Sequence, residues 1–206
     1  MRGGKMQRIK YRETGLKIIL MLIFLSAFHF YFLSTATAQQ KGEVEEELRE
    51  VKAGELAPLF VMHDLEGRYF SLKNYCDLDD TGIPPALRKQ KSVVIINFFS
   101  TICIPCVEEL PALLRIYEKY KDRGLKMFLI SIDGKPEEVL PPFIEKYNIT
   151  VPVLLDMYQK TLNRYGFNSV PHTILIDRNR RILAVFKEDK ELEKKLDEKL
   201  SLLLNK

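Results

Sequence analysis

The sequence predicts an α/β sandwich with a central mixed sheet. Two observations carry this prediction: apolar runs of strand length alternate with amphipathic helices in the middle of the chain, and a pair of strands stands on either side of that stretch. The order strand–strand, strand–helix–strand–helix, strand–strand–helix favours a layered arrangement, because each element must bury an apolar face. The 206 residues are 46% hydrophobic and 29% charged, which is sufficient for one packed domain.

The first predicted element is a short β-hairpin, in which residues 59–63 and 68–72 flank a turn that ends at Gly67. Residues 73–92 are rich in Asp, Gly and Pro and predict a loop. The run Val93–Phe99 is almost continuously apolar and rich in β-branched residues, which is typical of a strand that is buried on both faces. We therefore place this run in the middle of the sheet.

The remaining elements follow from the spacing of apolar residues. Helices are predicted at 105–121, 136–147 and 157–165, and strands at 125–132 and 151–155. Two antiparallel strands come next, at 173–177 and 182–186. The last helix presents one leucine face, formed by Leu192, Leu196, Leu200 and Leu203.

The N-terminal residues differ from the rest of the chain in charge and hydropathy. Residues 1–38 carry six Lys or Arg and one acid, whereas the remainder carries 26 Lys or Arg against 27 Asp or Glu. The apolar run 18–33 follows the basic residues, and Ala36 and Ala38 fit an A-x-A cleavage site. Residues 1–38 therefore predict a signal peptide or a retained signal anchor, with 18–33 as the part that contacts the membrane.

This leader implies that the body of the protein lies outside the cytoplasm, in the periplasm or cell envelope, either secreted or anchored to the inner membrane. Residues 39–55 are charged and predict a solvated linker, helical around 44–51, so the folded domain is expected to span 56–206. Because the body is nearly neutral, we expect no nucleic-acid partner.

The strongest chemical signal is Cys103-Ile104-Pro105-Cys106, where a buried strand meets a helix. This spacing puts two thiols one helical turn apart, close enough to form a disulfide. The unpaired N–H groups and the positive end of the helix dipole favour a thiolate at Cys103, and the thiolate is the form that attacks a disulfide. Pro105 suits the first turn, where its missing N–H costs little. The pattern predicts a redox-active pair that needs no further cofactor.

Other interpretations of the two cysteines are weaker. Haem attachment needs a histidine after the second cysteine, and Val107 stands there. A zinc site normally needs four ligands, and only Cys76 with His63 or His172 would complete one, so no metal is expected. A purely structural bridge would close a very short loop and add little stability.

The segment 97–111, NFFSTICIPCVEELP, resembles the active-site region of the TlpA/ResA-like thiol–disulfide oxidoreductases of the thioredoxin superfamily. The likeness covers residues 54–187 and includes the run 170–177, VPHTILID. It implies a thioredoxin-like fold with an added N-terminal hairpin and an inserted strand–helix element. It also implies thiol exchange outside the cytoplasm, often as a reductant in cytochrome c maturation. Protein disulfides or dithiols are the implied substrates, and a membrane electron donor is the implied partner.

The resemblance also assigns roles to individual residues. Cys103 matches the attacking cysteine, Cys106 the resolving cysteine, and Pro171 the cis-proline that faces them. Glu109 matches an acidic residue that is expected to handle the Cys106 proton, the alternative being an ordinary solvated acid. The positions expected to face the substrate are Ile104, Pro105, Val170 and His172.

This chain departs from the family pattern around the cysteines. The family usually carries Trp immediately before the first cysteine and a few residues upstream, where this chain has Ile102 and Phe99. Cys76 lies in the long 73–92 loop and is either a third redox participant or an unreactive thiol. His172, beside the predicted cis-proline, either tunes the Cys103 thiolate or is an inert residue on the rim of the site.

The function classes that remain are a reductant, a disulfide-forming oxidant and a non-catalytic thioredoxin-like binding module, with the reductant expected. A peroxiredoxin-like peroxidase is disfavoured, because its nucleophilic cysteine needs a proline seven residues earlier. Ile96 stands at that position before Cys103, and Phe99 before Cys106.

Overall fold

The computed structural model describes residues 49–78 and 90–204, together with Met21, Phe24, Leu25 and Phe28. Those four residues are helical and exposed, and they fall in the first of the two units of the chain, residues 1–46. The rest of the predicted leader, residues 39–48 of the predicted linker and residues 79–89 of the predicted loop lie outside the described residues. Among the residues that are described, no helix has both the length and the hydropathy of a membrane span.

The second unit, residues 47–206, contains the predicted hairpin of β1 (Val61–His63) and β2 (Tyr69–Ser71). The carboxylate of Asp64 stabilises the turn by accepting hydrogen bonds from the backbone N–H groups of Glu66 and Arg68. A 3-10 turn, Leu72–Asn74, follows β2.

Five strands form the central sheet: β3 (Val93–Phe99), β4 (Leu125–Ser131), β5 (Val153–Leu155), β6 (His172–Ile176) and β7 (Ile182–Lys187). Their order across the sheet is β5-β4-β3-β6-β7. Strands β5, β4 and β3 are parallel, whereas β6 is antiparallel to both of its neighbours. Every residue of β3 is buried, as expected for the middle strand of a sheet that is covered on both faces.

Two apolar layers cover the faces of this sheet. Helices α1 (Ile104–Tyr120), α2 (Pro136–Lys146) and α4 (Leu192–Leu204) pack on the face that carries Ile95. The hairpin and the short helix α3 (Lys160–Arg164) pack on the opposite face, which carries Ile96. Because successive side chains of a strand point to opposite faces, β3 supplies apolar residues to both layers.

The predicted sandwich, its mixed sheet and its hairpin are confirmed, with two corrections of detail. The helix predicted at 157–165 spans only Lys160–Arg164, because Gln159 at its N-cap has a left-handed φ of 55°. Leu204 rather than Leu203 completes the buried leucine face of α4, since it continues the spacing of four residues while Leu203 lies half-buried at the edge.

Residues 49–55 belong to the folded unit, whereas the sequence assigned them to a solvated linker. The backbone N–H of Val51 donates to the carbonyl of Tyr165 at 3.1 Å, and that of Gly54 donates to Ile182 at 2.8 Å. These contacts are made by the backbone, so they leave no pattern of apolar side chains in the sequence. Of the helix predicted around 44–51, residues 49–51 are not helical, and the others lie outside the described residues.

Gly166 is the residue over which this segment passes. A Cβ atom at Gly166 would collide with the backbone of Arg49 and Glu50, and its φ of +76° lies in the left-handed region. Glycine is therefore required here both for close approach and for backbone conformation.

Candidate active site

Several loops meet at one edge of the central sheet. The parallel strands β3, β4 and β5 end there at Phe99, Ser131 and Leu155, which are register partners across the sheet. Strand β6 runs the opposite way, so its first residue, His172, pairs with Phe98 near the same edge. The loops that follow the parallel strands therefore meet the loop that precedes β6, which is how open α/β sheets assemble their sites.

Cys103 and Cys106 form a disulfide at the beginning of α1, with their Cα atoms 5.3 Å apart. Cys103 is the N-cap of the helix, and the backbone N–H of Cys106 donates to its Sγ at 3.2 Å. Cys106 is only 5% exposed, whereas Cys103 is half-buried. Cys103 is therefore the more accessible sulfur of the pair.

The same geometry stabilises a negative charge on Cys103 once the disulfide is reduced. The N-terminus of α1 carries the positive end of the helix dipole, and the Cys106 N–H is a hydrogen-bond donor to the sulfur. Both interactions favour the thiolate over the thiol. The elements that position the sulfur are thus also the ones that favour its thiolate form.

The loop before β6 faces the disulfide. The peptide bond between Val170 and Pro171 is cis, as the resemblance implies. The carbonyl oxygen of Val170 lies 3.8 Å from Sγ of Cys103. The disulfide sulfur carries no proton, so this is a packing contact, but a Cys103 thiol is able to donate to the same oxygen. Pro171 is buried and Val170 is half-buried.

His172 does not face the substrate, and the prediction that it lies on the rim of the site is wrong. Its side chain is 3% exposed, because its position in β6 directs the ring into the layer that contains Phe167. The two rings stack with centroids 3.9 Å apart. Nδ1 donates to the Ser169 carbonyl at 2.9 Å, which ties down the loop that carries Val170, and burial lowers the pKa of the imidazole.

Two exposed isoleucines flank the accessible cysteine. Ile102 is 87% exposed and Ile104 is 72% exposed, while Pro105 is half-buried. Large apolar side chains in these positions are available to contact a bound polypeptide. Substrate contact by Ile104 and Pro105 stays a prediction.

Glu109 lies one turn after Cys106 on α1 and is half-buried rather than solvated. Its Oε1 accepts a hydrogen bond from the backbone N–H of Asp189 at 2.7 Å. Burial raises the pKa of the Glu109 carboxyl group, an effect reinforced by the charges of Asp189 and Glu188 and opposed by that hydrogen bond. The carboxylate lines an open cavity of about 330 Å³ that also touches Pro105. Its proposed exchange of a proton with Cys106 stays a prediction.

Cys76 lies in the opposite layer of the core and is 1% exposed. Burial raises the pKa of its thiol to about 12, and its Sγ lies 3.9 Å from the carbonyl oxygen of Leu72. Its surroundings are those of an unreactive thiol. Within the described part of the chain, no group of three or more His, Cys, Asp or Glu side chains is arranged to hold a metal ion.

Asp133 is a site residue that the sequence-based predictions missed. Its carboxylate accepts hydrogen bonds from the hydroxyl groups of Ser100, Thr101 and Ser131, and from the backbone N–H of Thr101. The available signal was an acid two residues after a buried strand, at the sheet edge that also holds the cysteines. Periodicity alone did not reveal it.

Comparison with known proteins identifies the family. Residues 53–185 match the AhpC/TSA family. Thiol-disulfide oxidoreductase ResA from Bacillus thuringiensis (strain Al Hakam) is 30% identical over 175 residues, which cover 85% of this chain and 88% of that protein. The chain belongs to the AhpC/TSA family, and within it this chain is a thiol–disulfide oxidoreductase.

Solved structures share the fold. A thiol:disulfide interchange protein from Bacteroides sp. aligns with a TM-score of 0.59 and 24% identity, over 78% of this chain and 93% of that chain. The thioredoxin domain of a thiol-disulfide oxidoreductase from Bacteroides vulgatus aligns with a TM-score of 0.59 and 24% identity, over 72% of this chain and 98% of that chain. The predicted thioredoxin-like fold is confirmed.

Proposed function

We propose that this chain is an extracytoplasmic reductant of protein disulfides, with Cys103 as the attacking thiol and Cys106 as the resolving thiol. The observation that carries the proposal is the disulfide at the start of α1, in which Cys103 is accessible and faces Val170 while Cys106 is buried. The resemblance to the TlpA/ResA-like proteins supports the direction of electron flow, and the basic and apolar leader supports the location.

The reaction begins with the reduced protein. The Cys103 thiolate attacks one sulfur of the substrate disulfide, a mixed disulfide forms, and the other substrate sulfur leaves as a thiolate. The N-terminus of α1 and the Cys106 N–H stabilise the attacking thiolate. The backbone at Val170 offers the substrate chain a strand-like pairing partner beside the sulfur.

Cys106 then completes the transfer. Its thiol loses a proton and attacks Sγ of Cys103, so the Cys103–Cys106 disulfide forms and the second substrate sulfur leaves as a thiolate. We assign the acceptance of that proton to Glu109, whose raised pKa brings it closer to the pKa of a thiol. Two electrons pass from the protein dithiol to the substrate, which becomes a dithiol.

A membrane electron donor with a dithiol of its own returns the protein to the reduced state by the same exchange in reverse. The redox group is the cysteine pair itself, so the cycle needs no bound cofactor. Cytochrome c maturation is the process that the resemblance implies for such a reductant, and the exposed Ile102 and Ile104 support a polypeptide substrate.

Covalent trapping tests the assignment of the two thiols. Cys106→Ser leaves the mixed disulfide unresolved, so we expect this variant to retain substrate proteins through a disulfide bond. These covalent complexes should appear on a non-reducing gel and disappear when reductant is added. Cys103→Ser is the matched control and is expected to retain none. If Cys103→Ser traps substrate proteins and Cys106→Ser does not, the two roles are reversed. If neither variant traps a protein and the wild type shows no disulfide exchange, the chain is a binding module.

The direction of electron flow is tested by equilibrating the Cys103–Cys106 pair of the wild-type protein with glutathione. A reductant has a more negative potential than the glutathione couple, so we expect Cys103–Cys106 to stay a disulfide under conditions that keep most glutathione reduced. Alkylation followed by mass spectrometry measures the oxidised fraction. A pair that is reduced more readily than glutathione would identify a disulfide-forming oxidant.

A further inference from the structure

The loop between β3 and Cys103 is held by the carboxylate of Asp133. Oδ1 accepts hydrogen bonds from Ser100 Oγ at 2.7 Å and from Thr101 Oγ1 at 3.0 Å. Both carboxylate oxygens lie 3.2 Å from the backbone nitrogen of Thr101. A single side chain therefore binds the two residues that follow β3.

Asp133 is itself fixed to the neighbouring strand. Ser131, the last residue of β4, donates through its hydroxyl group to Oδ2 at 2.7 Å and accepts the backbone N–H of Asp133 at 3.1 Å. Ile132 continues the pairing with β3, because its N–H donates to the Phe99 carbonyl at 3.0 Å. The carboxylate is thus held by rigid elements of the sheet, as a precise site requires.

The hydrogen bonds continue from this loop to the accessible cysteine. The backbone N–H of Cys103 donates to the Ser100 carbonyl at 3.1 Å, and the Ser100 side chain is the one that Asp133 holds. Cys103 must stay at the N-cap of α1 for its sulfur to accept the Cys106 N–H. A displacement of residues 100–102 would therefore move Sγ away from this donor.

We infer that Asp133 is a positioning residue of the redox reaction, which fixes the 100–102 loop and thereby keeps the Cys103 sulfur at the N-terminus of α1. The inference rests on the proposed function in one respect, namely that Cys103 is the attacking thiol. Asp133 acts through the loop and takes no part in bond making.

The charge of Asp133 makes the inference testable, because positioning and charge act in opposite directions. Positioning favours the Cys103 thiolate through the helix N-terminus, so its loss raises the pKa of Cys103. A nearby negative charge disfavours the thiolate, so removal of the charge alone lowers that pKa. The sign of the change therefore separates the two effects.

The experiment measures alkylation of the reduced protein by iodoacetamide as a function of pH, with mass spectrometry to identify the modified cysteine. For Asp133→Ala we expect the midpoint of the Cys103 profile to rise toward the ordinary value of about 8.5. A rise of about one pKa unit slows alkylation about tenfold at a pH below both midpoints, since only the thiolate reacts. Asp133→Asn keeps the size and one acceptor oxygen, and we expect a smaller change.

Asp177→Ala is the matched control. Asp177 is also half-buried, and its Oδ1 accepts the backbone N–H groups of Asn179 and Arg181 at 2.8 and 2.7 Å. It follows the last residue of β6, at the edge of the sheet opposite to the cysteines. Loss of this carboxylate is expected to lower the melting temperature without moving the Cys103 profile.

Three results would overturn the inference. One is a fall of equal size in the Cys103 midpoint for Asp133→Ala and Asp133→Asn, which indicates an effect of charge alone. Another is a pH profile of Cys103 alkylation that is the same in Asp133→Ala as in wild type or in Asp177→Ala. The third is preferential alkylation of Cys106 in the wild-type protein, which refutes the proposed attacking thiol as well. The first two leave the proposed function intact.

Discussion

The three cysteines of this chain differ in environment more than in chemistry. Cys103 is accessible and caps a helix, Cys106 is buried one turn later, and Cys76 is buried in the layer on the other face of the sheet. Because the thiolate is the reactive form, helix position favours reaction at Cys103 and burial suppresses it at Cys76. Local surroundings therefore favour the proposed role of Cys103 as the reacting sulfur.

Cys76 gives the first prediction at the residue scale. Its pKa is raised by burial to about 12, so we expect the native oxidised protein to resist alkylation at pH 8. The same sample should take up one label per chain in denaturant, since Cys103 and Cys106 are protected as a disulfide. Intact-mass spectrometry measures both. Rapid labelling of the native protein would show that Cys76 is accessible and available for redox chemistry.

Glu109 gives a prediction about pH and stability. Burial raises its pKa in the folded state, so its stabilising contribution is fully present below the unfolded pKa and is lost as the pH rises through the folded pKa. Glu109→Gln removes the cost of burying a negative charge and retains an oxygen that accepts the Asp189 N–H. We therefore measure the melting temperature of Glu109→Gln minus that of wild type at each pH. We expect this difference to be more positive at pH 7 than at pH 4.

The exposed neighbour Glu108 provides the control for this measurement. Glu108→Gln also removes one negative charge from α1, but from a solvated position. The difference in melting temperature between Glu108→Gln and wild type is expected to change little between pH 4 and pH 7. Equal pH dependence for the two variants would mean that burial of Glu109 does not govern its titration.

At the scale of elements, the sequence predicted best those helices and strands that bury a pattern of apolar side chains. The apolar run Val93–Phe99 is a strand with those same bounds, because burial on both faces selects apolar residues throughout. Residues 49–55 escaped prediction because they bind through backbone groups. The inward direction of His172 escaped as well, since a polar residue beside a predicted site gives no indication of which face it occupies.

The contact between residues 49–55 and Gly166 gives a prediction for this scale. Gly166→Ala adds a Cβ that collides with the backbone of Arg49 and Glu50, in addition to the left-handed φ. Gly67→Ala is the matched control, because Gly67 has nearly the same φ, +75°, and nothing within 4 Å of the added atom. We expect Gly67→Ala to lower the free energy of unfolding by about 1 kcal/mol.

Gly166→Ala is expected to cost clearly more than this control, on the order of 3 kcal/mol, because the collision adds to the backbone strain. Urea denaturation of the oxidised protein measures both values. Equal costs for the two variants would show that residues 49–55 move away from Gly166 at no expense in free energy.

At the scale of the whole molecule, the site joins parts of the chain that are far apart in sequence. Cys103 and Val170 are separated by 67 positions and meet because β6 runs antiparallel to β3. The resemblance identified both residues from their motifs. It gave no account of Asp133, since the sequence pattern does not record which carboxylate reaches the loop across the sheet edge.

The spacing of the cysteines also bears on how the chain acquires its disulfide. Cys103 and Cys106 are three positions apart, so their bond forms without any tertiary structure, whereas the contact with Val170 waits for the non-local pairing of β3 and β6. Of the three possible single bridges, those that include Cys76 must close much longer loops at a greater entropic cost. Loop closure in an unfolded chain therefore favours the native bridge over the two bridges that include Cys76.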